Sequence, residues 1–283
     1  MIVMRVRVRH ITGSGHLRIS IASGWSAQGG STQHFVSLTN HLNDRGIPTR
    51  FYGPHDWHRD KCQSDHIQNI RLDQPDDVLI SHFLDLNDAV KELKKVVLNC
   101  HEGPKLYPLE GRDLSVYDEV VYVSDRQRTA QGVSHPNRII PPSVNLDPRP
   151  RTDRRRGQVG VIGSIDRNKQ THVAVETALA DESKNTKVLI IGKATDQEYF
   201  SEKIKPLLSN KRVRILPPYD DKNRMYDMVA AVYSASLTET YGLVLAECMM
   251  LDIPFHDLNS ASQGNEFWTE DEKVDAWLDL LKS

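Results

Sequence analysis

Short apolar runs alternate with helical patterns along most of the chain, and this alternation predicts the fold. In the first half, runs with the length and composition of buried strands cover 17–22, 49–52, 77–81, 96–100 and 119–123. Phe35, Leu38 and Leu42 recur at helical spacing between the first two runs, and a further helix is predicted at 88–95. Strands that alternate with helices indicate βαβ units and a parallel sheet.

The same alternation resumes after a polar interruption. Residues 147–158 are rich in proline and arginine, show no apolar period and are predicted to be an exposed linker. Beyond it, strand patterns open at Val159 and cover 187–192, 213–219 and 253–257. A last amphipathic helix closes the chain. We therefore predict one domain at 1–146 and a second, including that helix, at 159–283.

The N-terminal segment has a period of two. Basic and apolar residues alternate over 4–9, which is typical of a strand with one basic face. A turn at 12–15 then predicts a hairpin with the strand at 17–22. The basic face is interpreted as a solvated strand edge rather than a phosphate grip.

Composition places the protein among ordinary globular chains. Of 283 residues, 39% are hydrophobic and 26% are charged, and the net charge of -2 gives no argument for binding to nucleic acid or to an anionic membrane. Three distant cysteines outside any CxxC spacing favour a reducing compartment. No apolar run approaches the ~20 residues of a membrane span. The sequence thus predicts a cytoplasmic protein, and peripheral contact with a membrane stays open.

One cluster of metal-capable side chains lies in the first half, at His55, His58, Cys62 and His66. Zinc accepts such ligands, but their spacing matches no known zinc motif and the stretch is polar. We interpret it as a surface loop with no metal site, and a part in acceptor binding is the remaining alternative.

A polar turn followed by an apolar helix near residue 240 is the most informative stretch. The helix pattern begins at Leu243, directly after Gly242, and contains Glu247, while Glu239 precedes it in the turn. The amides of Tyr241, Gly242 and Leu243 have no intrahelical partners and carry the positive end of the helix dipole. Gly242 lacks a Cβ, so an anion can approach the backbone. The stretch predicts a diphosphate site between two carboxylates that bind polyol rings.

The spacing Glu239-x7-Glu247 alone is common by chance and is typical of a buried helix with one surface glutamate at its start and another on its polar flank. With Ser236 before it and Tyr-Gly-Leu inside it, the motif resembles the donor site of retaining glycosyltransferases with the GT-B fold, family four in particular. The resemblance implies two Rossmann-like α/β domains that face each other across a cleft, with acceptor and donor sides in that order. Relatives add a further helix that returns to the first domain, and this sequence is predicted to lack it.

The resemblance also implies roles outside the motif. In the first domain it places Gly29 and Gly30 at the mouth of the cleft and His101 against the donor sugar. His101 directly follows a buried-type strand, and the carboxyl ends of such strands face the ligand crevice. The glycine pair has an alternative reading as a plain tight turn. In the second domain, Thr240 joins the donor-binding set, and Tyr219 either stacks on the base or fills the core.

A second segment resembles the part of the family that neutralises the donor diphosphate. Asp166 and Lys169 match the family pattern, whereas Ser164 stands in the place of an arginine and Gln170 in the place of a glycine. A pyrophosphate needs cationic partners as its charge develops. We predict that Lys169 supplies one cation and that Arg167 substitutes for the missing arginine. The departure is also a hint of weakened catalysis.

These assignments define one expected reaction. The resemblance implies transfer of a sugar from a UDP- or GDP-linked donor, with retention of configuration and with no metal or other cofactor. Glu239, Lys169 and His101 form the catalytic set, and Glu247 binds the ribose. The acceptor is a glycan, a lipid or a small molecule, no nucleic acid partner is expected, and an oligomer or partner subunit stays open. The alternatives are a nucleotide-sugar epimerase on the same fold and a non-catalytic nucleotide-sugar-binding subunit.

Overall fold

The computed structural model describes residues 2–4, 17–25, 29–54, 59–72, 77–144, 146, 157–219, 221–262 and 264–283. The chain divides into two compact units. The first comprises Met1–Val144 together with Asn265–Ser283, and the second comprises Asn145–Gly264. Most of the predicted linker, 147–156, lies outside the described residues.

The first unit is built on a parallel sheet. Its described strands are β1 (Ile2–Met4), β2 (Arg18–Ser23), β3 (Thr49–Gly53), β4 (Ser64–His66), β5 (Asp77–His82), β6 (Leu84–Leu86), β7 (Lys95–Cys100), β8 (Glu119–Tyr122) and β9 (Asn137–Ile139). Seven of them form one sheet in the order β4-β3-β2-β5-β7-β8-β9, and β1 pairs with β6. Its helices include α1 (Gly30–Asp44) and α2 (Asp125–Gln131), with 3₁₀ turns at Ile67–Asn69 and Asp88–Glu92.

The inner strands show why this sheet is covered on both faces. All six positions of β5 are buried, and so are five of the six in β7. Successive side chains point to opposite faces, so Leu79 and Leu98 join the core on one face, while Ile80 and Val97 join Phe35 of α1 on the other. Nearly continuous apolar strands of this kind are typical of a parallel sheet between two helical layers.

The second unit repeats this architecture with five parallel strands. They are β10 (Gln158–Ile162), β11 (Lys187–Ile191), β12 (Val213–Leu216), β13 (Ala231–Ser234) and β14 (Phe255–Asp257). Their order is β12-β11-β10-β13-β14. The helices are α3 (Thr171–Asp181), α4 (Gln197–Tyr199), α5 (Lys222–Asp227) and α6 (Leu243–Met250), and α4 continues as a π-helix at Phe200–Ile204 and a 3₁₀ turn at Lys205–Ser209.

The last helix, α7 (Glu270–Lys282), corrects the predicted domain assignment. It belongs to the first unit, where Val274, Trp277, Leu280 and Leu281 are buried in the same core as Phe35. Arg45 of α1 adds ion pairs to Asp271 at 2.6 Å and to Asp275 at 3.1 Å. The predictions that this helix completes the second domain and that no helix returns to the first are both wrong. Amphipathic spacing identifies an apolar face but not the core that receives it.

Three local predictions also differ from the structure. Among the described strands, β2 is flanked by β3 and β5, so it has no edge for the predicted hairpin, and residues 5–16 lie outside the described part. The helix predicted at 88–95 is a 3₁₀ turn at Asp88–Glu92 that leads into β7. Strand β12 ends at Leu216 because the next two residues are prolines, which have no N–H to donate.

Candidate donor site in the second unit

The strand order of the second sheet places two loops side by side. The chain leaves β10 toward β11 on one side and returns to β13 on the other, so the carboxyl ends of β10 and β13 form a topological switch point, the usual place for a ligand crevice. The loop after β10 holds Asn168, which accepts a backbone hydrogen bond from Leu237 at 2.8 Å. Its side chain also exchanges hydrogen bonds with Thr238 at 2.8 and 3.1 Å. These bonds fix the two loops to each other.

Two residues of the predicted catalytic set meet at this junction. The Lys169 ammonium forms an ion pair with Glu239, and the two side chains are 25% and 16% exposed. Asp166 holds the turn in place, because one carboxylate oxygen accepts the Lys169 N–H at 2.9 Å and the other accepts the Ser164 hydroxyl at 2.6 Å. Ser164, at the place of the expected arginine, thus supports the turn that carries Lys169.

Gly242 is required by the backbone at the start of α6. Its φ is +86°, and a Cβ there would lie 2.6 Å from the Ser262 hydroxyl. Ser262 is buried and is held by its N–H, which donates to Asp257 at 2.9 Å. The sequence predicts that an anion can use the space left by the missing Cβ. In the structure Ser262 fills that space instead. Approach to the α6 amides has to come from another side.

Glu247 lies within α6 and is only 2% exposed. The Lys222 ammonium pairs with its Oε1 atom, and the Tyr226 hydroxyl donates to its Oε2 atom. Both partners come from α5, where a spacing of four residues puts them on one face. Sequence reasoning missed Lys222 and Tyr226, and only that spacing pointed to them. Glu247 and Glu239 thus have different partners and different burial.

Two other predicted donor residues have partners other than Lys169 and Glu239. Arg167 is 54% exposed and pairs with three carboxylates: Asp196 at 3.2 Å, Glu198 at 2.8 Å and Glu202 at 3.8 Å. The predicted replacement for the family arginine is thus held by acids. Tyr219 follows β12 and is half-buried, with the Arg224 guanidinium 6.0 Å from its ring centre. Thr240 and Tyr241 lie between Glu239 and Gly242, and Tyr241 is buried.

The predicted glycine pair of the first unit, Gly29 and Gly30, lies at the start of α1. Gly29 precedes α1 with φ of -139°, which any residue adopts, and a Cβ there would meet no atom of the described residues within 4 Å. Gly30 is the first residue of α1 and has no positive φ. Neither glycine therefore needs a backbone conformation that is closed to other residues. Their place at the mouth of the cleft stays a prediction.

We expect Gly29→Ala to distinguish a glycine that lines a ligand site from one that only forms a tight turn. Because no described atom lies within 4 Å of the position of a Gly29 Cβ, the substitution should cost no more than about 1 kcal/mol of stability, the difference between glycine and the poorer N-cap residue alanine. If a ligand approaches here, donor turnover should fall at least tenfold while the thermal midpoint stays within a few degrees. Thermal denaturation and nucleotide release from a sugar nucleotide measure the two effects. Unchanged turnover would remove Gly29 from the site.

His101 lies in a buried cluster at the carboxyl end of the first sheet. Its ring centre is 4.6 Å from that of His34, 5.3 Å from Phe35 and 5.7 Å from His82. Its Nε2 atom is buried with no hydrogen-bond partner among the described residues. Burial, with His34 and His82 as neighbours, holds the pKa of His101 well below its ordinary value. The sequence singled out His101 but missed His34 and His82, although His82 ends the neighbouring strand β5.

His34 is held in its neutral form by a backbone hydrogen bond. The Ser143 N–H donates to Nδ1 at 2.8 Å, so Nδ1 carries no proton and the proton of the neutral ring is on Nε2. Burial, followed by the charge of Lys273, lowers the pKa of His34 to about 3. Lys273 is itself buried and pairs with Glu270 at 2.6 Å. Protonated His34 would lose the Ser143 bond and face a buried cation.

This cluster predicts loss of stability in acid. The folded-state pKa of His34 is about 3, whereas the unfolded chain takes up this proton near 6.5, so the stabilisation is complete above pH 6.5 and is lost as the pH falls toward 3. Each such histidine adds a slope of at most about 1.4 kcal/mol per pH unit. His34→Gln should flatten the fall in unfolding free energy between pH 7 and 5, measured in urea. The exposed His256→Gln is the matched control, and equal slopes in all three proteins would contradict the assignment.

The predicted cluster of metal-capable side chains lies only partly within the described residues. His55 and His58 lie outside the described residues, and Cys62 is half-buried, with burial raising the pKa of its thiol to about 11. Within the described ranges, no three His, Cys, Asp or Glu side chains are grouped so that they could hold a metal ion. The helices described here include none of the length and apolar character needed to span a membrane.

Comparison with known proteins connects this geometry to one class. Residues 146–255 match the family model of glycosyl transferases group 1. No curated protein matches the chain in sequence.

Among solved structures, HepE of Anabaena (Alr3699), in complex with UDP and glucose, has a TM-score of 0.63 at 14% identity over 94% of this chain and 89% of its own. AviGT4, a glycosyltransferase involved in avilamycin A biosynthesis, has a TM-score of 0.60 at 12% identity over 94% of this chain and 97% of its own. WaaG, a glycosyltransferase involved in lipopolysaccharide biosynthesis, has a TM-score of 0.54 at 11% identity over 94% and 90%.

These findings confirm the predicted fold class. Two α/β units on parallel sheets, with solved GT-B glycosyltransferases as structural neighbours, fit the GT-B fold of two Rossmann-like domains. The matched segment contains both the loop of Lys169 and the motif from Glu239 to Glu247. The segment match and the fold together support a glycosyltransferase of the GT-B type.

Proposed function

We propose that the protein is a retaining glycosyltransferase of the family-four type, which moves a sugar from a nucleotide-diphosphate donor to an acceptor. The observation that carries the proposal is the ion pair of Lys169 with Glu239, three residues before Gly242 and inside the segment that matches glycosyl transferases group 1. HepE has been solved with UDP-glucose, which favours a UDP-linked sugar as donor, with a GDP-linked sugar as the alternative.

The proposed reaction requires groups that stabilise negative charge on the leaving diphosphate. As the bond from the anomeric carbon to the leaving phosphate breaks, negative charge accumulates on the diphosphate. Lys169 and the first amides of α6 would stabilise this charge as preorganised donors. In the structure, Glu239 is the anion that pairs with Lys169. A bound diphosphate would take over that position and free the Glu239 carboxylate to accept hydrogen bonds from the hydroxyls of the donor sugar.

The other predicted residues have binding roles in the proposal. Glu247 would accept hydrogen bonds from the ribose, and Tyr219 would stack on the base. His101, Gly29 and Gly30 belong to the first unit and enter through the family resemblance. Since the His101 side chain is buried, the weight of the proposal rests on Lys169 and Glu239. The acceptor is proposed to be a glycan, a lipid or a small molecule.

A panel of nucleotides tests the first half of the proposal. Thermal denaturation with UDP, GDP and ADP should show stabilisation by one of them, since a ligand at 100 times its Kd adds about 2.7 kcal/mol. No stabilisation by any of the three at millimolar concentration would contradict the donor site.

The matching sugar nucleotide tests the second half. Nucleotide release that depends on cell-derived acceptors, with the product anomer determined by NMR, should show transfer with retention. An isomerised donor without acceptor would identify an epimerase instead, and tight binding without any turnover would identify a non-catalytic subunit.

A further inference from the structure

The first unit contains a cavity beside β6, and none of the residues assigned so far lines it. Its volume is about 260 Å³. A cavity of about 150 Å³ already holds benzene, and sites for whole drug-sized ligands begin at about 300 Å³. The β6 cavity is therefore large enough for one end of a ligand and small for a whole one.

Two segments line the β6 cavity, strand β6 itself and the loop that joins β7 to β8. The apolar part of the lining consists of four aliphatic side chains and two tyrosines: Leu84, Leu86, Leu114, Val116, Tyr107 and Tyr117. The polar part consists of Asp85, Arg112 and Asp113. Asp113 is exposed, and the side chains of Asp85 and Arg112 are 37% and 24% exposed. An apolar interior with a charged, solvated mouth fits a ligand that has one apolar end.

The two walls of the cavity are tied to each other. The Arg112 guanidinium of the loop donates to Asp85 of β6 at 3.1 Å, and the Tyr117 hydroxyl of the loop donates to the carbonyl of Leu84 at 3.3 Å. Both bonds join the loop to the strand. A cavity with walls fixed in this way is preorganised, so a ligand that enters it loses little affinity to rearrangement of the protein.

Tyr107 has partners for its ring within the protein. The Phe83 ring lies 4.5 Å from it, centre to centre, and the Arg112 guanidinium lies over the ring at 4.2 Å from its centre. Gln131 holds the backbone of the same residue, because its side-chain amide donates to the Tyr107 carbonyl at 2.9 Å. The contacts that remain for a ligand come mainly from the leucines and the valine. An aliphatic chain matches this lining better than an aromatic ring.

The β6 cavity lies beside the carboxyl end of the first sheet. A single residue, Phe83, separates β5 from β6. Its ring lies 5.8 Å from that of His82, which in turn lies 5.7 Å from that of His101. Ring contacts thus connect His101 with Tyr107 of the cavity. Since the carboxyl ends of parallel strands face the ligand crevice, a ligand that occupies the cavity reaches that crevice with its other end.

The charges at the mouth favour a hydroxylated head over an anionic one. In the lining, Asp85 and Asp113 outnumber Arg112, which is already paired with Asp85. Carboxylates accept hydrogen bonds from hydroxyls, whereas a phosphate at this mouth would meet like charge. We propose that the β6 cavity binds the aliphatic end of the acceptor, which is thus an uncharged amphiphile with a hydroxylated head, of the alkyl or acyl glycoside class. The inference rests on the proposed function, since it takes the first unit as the acceptor side.

Four small probes test the class of ligand by NMR titration of the full chain. Hexyl β-glucoside is the expected match, and methyl β-glucoside lacks its chain. Phenyl β-glucoside carries an aromatic ring instead of the chain, and hexyl phosphate carries an anion instead of the sugar. Hexyl β-glucoside should bind at least about tenfold more tightly than methyl β-glucoside, because each buried CH₂ group adds roughly fourfold in affinity. It should also bind more tightly than the other two probes.

Variants that fill the cavity locate the binding. Leu114→Trp and Leu86→Trp each add volume from a different wall, and both leucines are only partly buried, so that one variant serves if the other misfolds. Leu106→Trp is the matched control, at a leucine of the same loop that is 52% exposed and outside this lining. A filled variant with a thermal midpoint within a few degrees of the wild type should bind hexyl β-glucoside at least about tenfold more weakly, the effect of losing two or more buried CH₂ contacts. The control should keep the wild-type affinity.

Acceptor-dependent release of nucleotide tests the role of the cavity in the reaction. Hexyl β-glucoside should compete with the cell-derived acceptors, whereas methyl β-glucoside at the same concentration should not. Leu114→Trp or Leu86→Trp should raise the apparent KM for these acceptors at least about tenfold with a smaller change in kcat, since the contact is remote from the reacting atoms and contributes uniform binding.

The outcomes that overturn the inference differ from those that overturn the proposed function. Equal affinity of the wild type for hexyl and methyl β-glucoside would refute an aliphatic site, and tighter binding of phenyl β-glucoside or hexyl phosphate would refute the class of ligand. If filling the cavity abolished binding of the probe but left acceptor-dependent release unchanged, the cavity would have no part in acceptor binding. In all three cases the proposed function would stand. Failure of the wild type to bind any of the three nucleotides would refute the proposed function, and the acceptor role of the cavity with it.

Discussion

Lys169→Met is expected to lower the rate of nucleotide release from the donor by roughly 10²- to 10³-fold, the usual effect of removing one preorganised charge-stabilising donor. Lys169 is the cation beside Glu239, and its amide is fixed by Asp166 at 2.9 Å. The substitution removes the charge but keeps the aliphatic stem. Single-turnover release of nucleotide from the sugar donor, measured with and without acceptor, reports the effect on the chemical step.

The control variants separate catalysis from simple loss of an ion pair. The pair is partly solvent-exposed, so its loss should change stability by no more than about 1 kcal/mol. Lys193→Met, at an exposed lysine of the same unit, should keep the wild-type rate. The double variant Lys169→Met/Glu239→Gln leaves no unpaired charge at the junction. If the double variant regained the wild-type rate, Lys169 would only neutralise Glu239, and its proposed contact with the diphosphate would be wrong.

The parts of the fold that the sequence predicts well are those with a local cause. The buried runs at 77–81 and 96–100 become β5 and β7 with ends shifted by one residue. Their apolar character is continuous because both faces of the sheet are covered. Short continuous apolar runs of this kind are typical of buried parallel strands. Which of the two cores α7 packs against is not determined by its local sequence. Trp277 packs in one core with Phe35, and its spacing would fit the core of the second unit equally well.

The residues of the candidate site likewise fall into those with a local cause and those that depend on tertiary packing. Lys169 and Glu239 are predictable because each belongs to a motif whose loop is fixed by the strand before it. The partners of Glu247 depend on how α5 packs against α6, and the filling of the space beside Gly242 depends on Ser262, which comes from the loop after β14. The acids around Arg167 come from α4, from the residue before it and from the π-helix that continues it. Such pairings arise from tertiary packing, and no single segment encodes them.

Gly192→Ala is expected to unfold the second unit or to cost about 4 kcal/mol or more, the range of a steric conflict that cannot relax. A Cβ on Gly192 would lie 1.7 Å from the carbonyl oxygen of Gly163 and 2.9 Å from its carbonyl carbon. The clashing atoms are backbone, so no side-chain rotation can relieve them. The same two loops are joined by the Gly163 N–H, which donates to Ile191 at 3.1 Å. Urea denaturation followed by circular dichroism measures the loss.

The loop that a Cβ on Gly192 would displace also contacts Lys169 of the candidate donor site. The position that a Cβ on Gly163 would occupy lies 3.7 Å from the Cε atom of Lys169, so Lys169 packs along this part of the loop. A Gly192→Ala protein that still folds should therefore have a displaced Lys169 and a reduced rate of nucleotide release. Gly29→Ala, where the space is open, is the matched glycine control and should stay within about 1 kcal/mol of the wild type. A Gly192→Ala protein as stable as Gly29→Ala would contradict the predicted clash, and a wild-type rate of nucleotide release in it would show that the close approach of the two loops is not needed to hold Lys169.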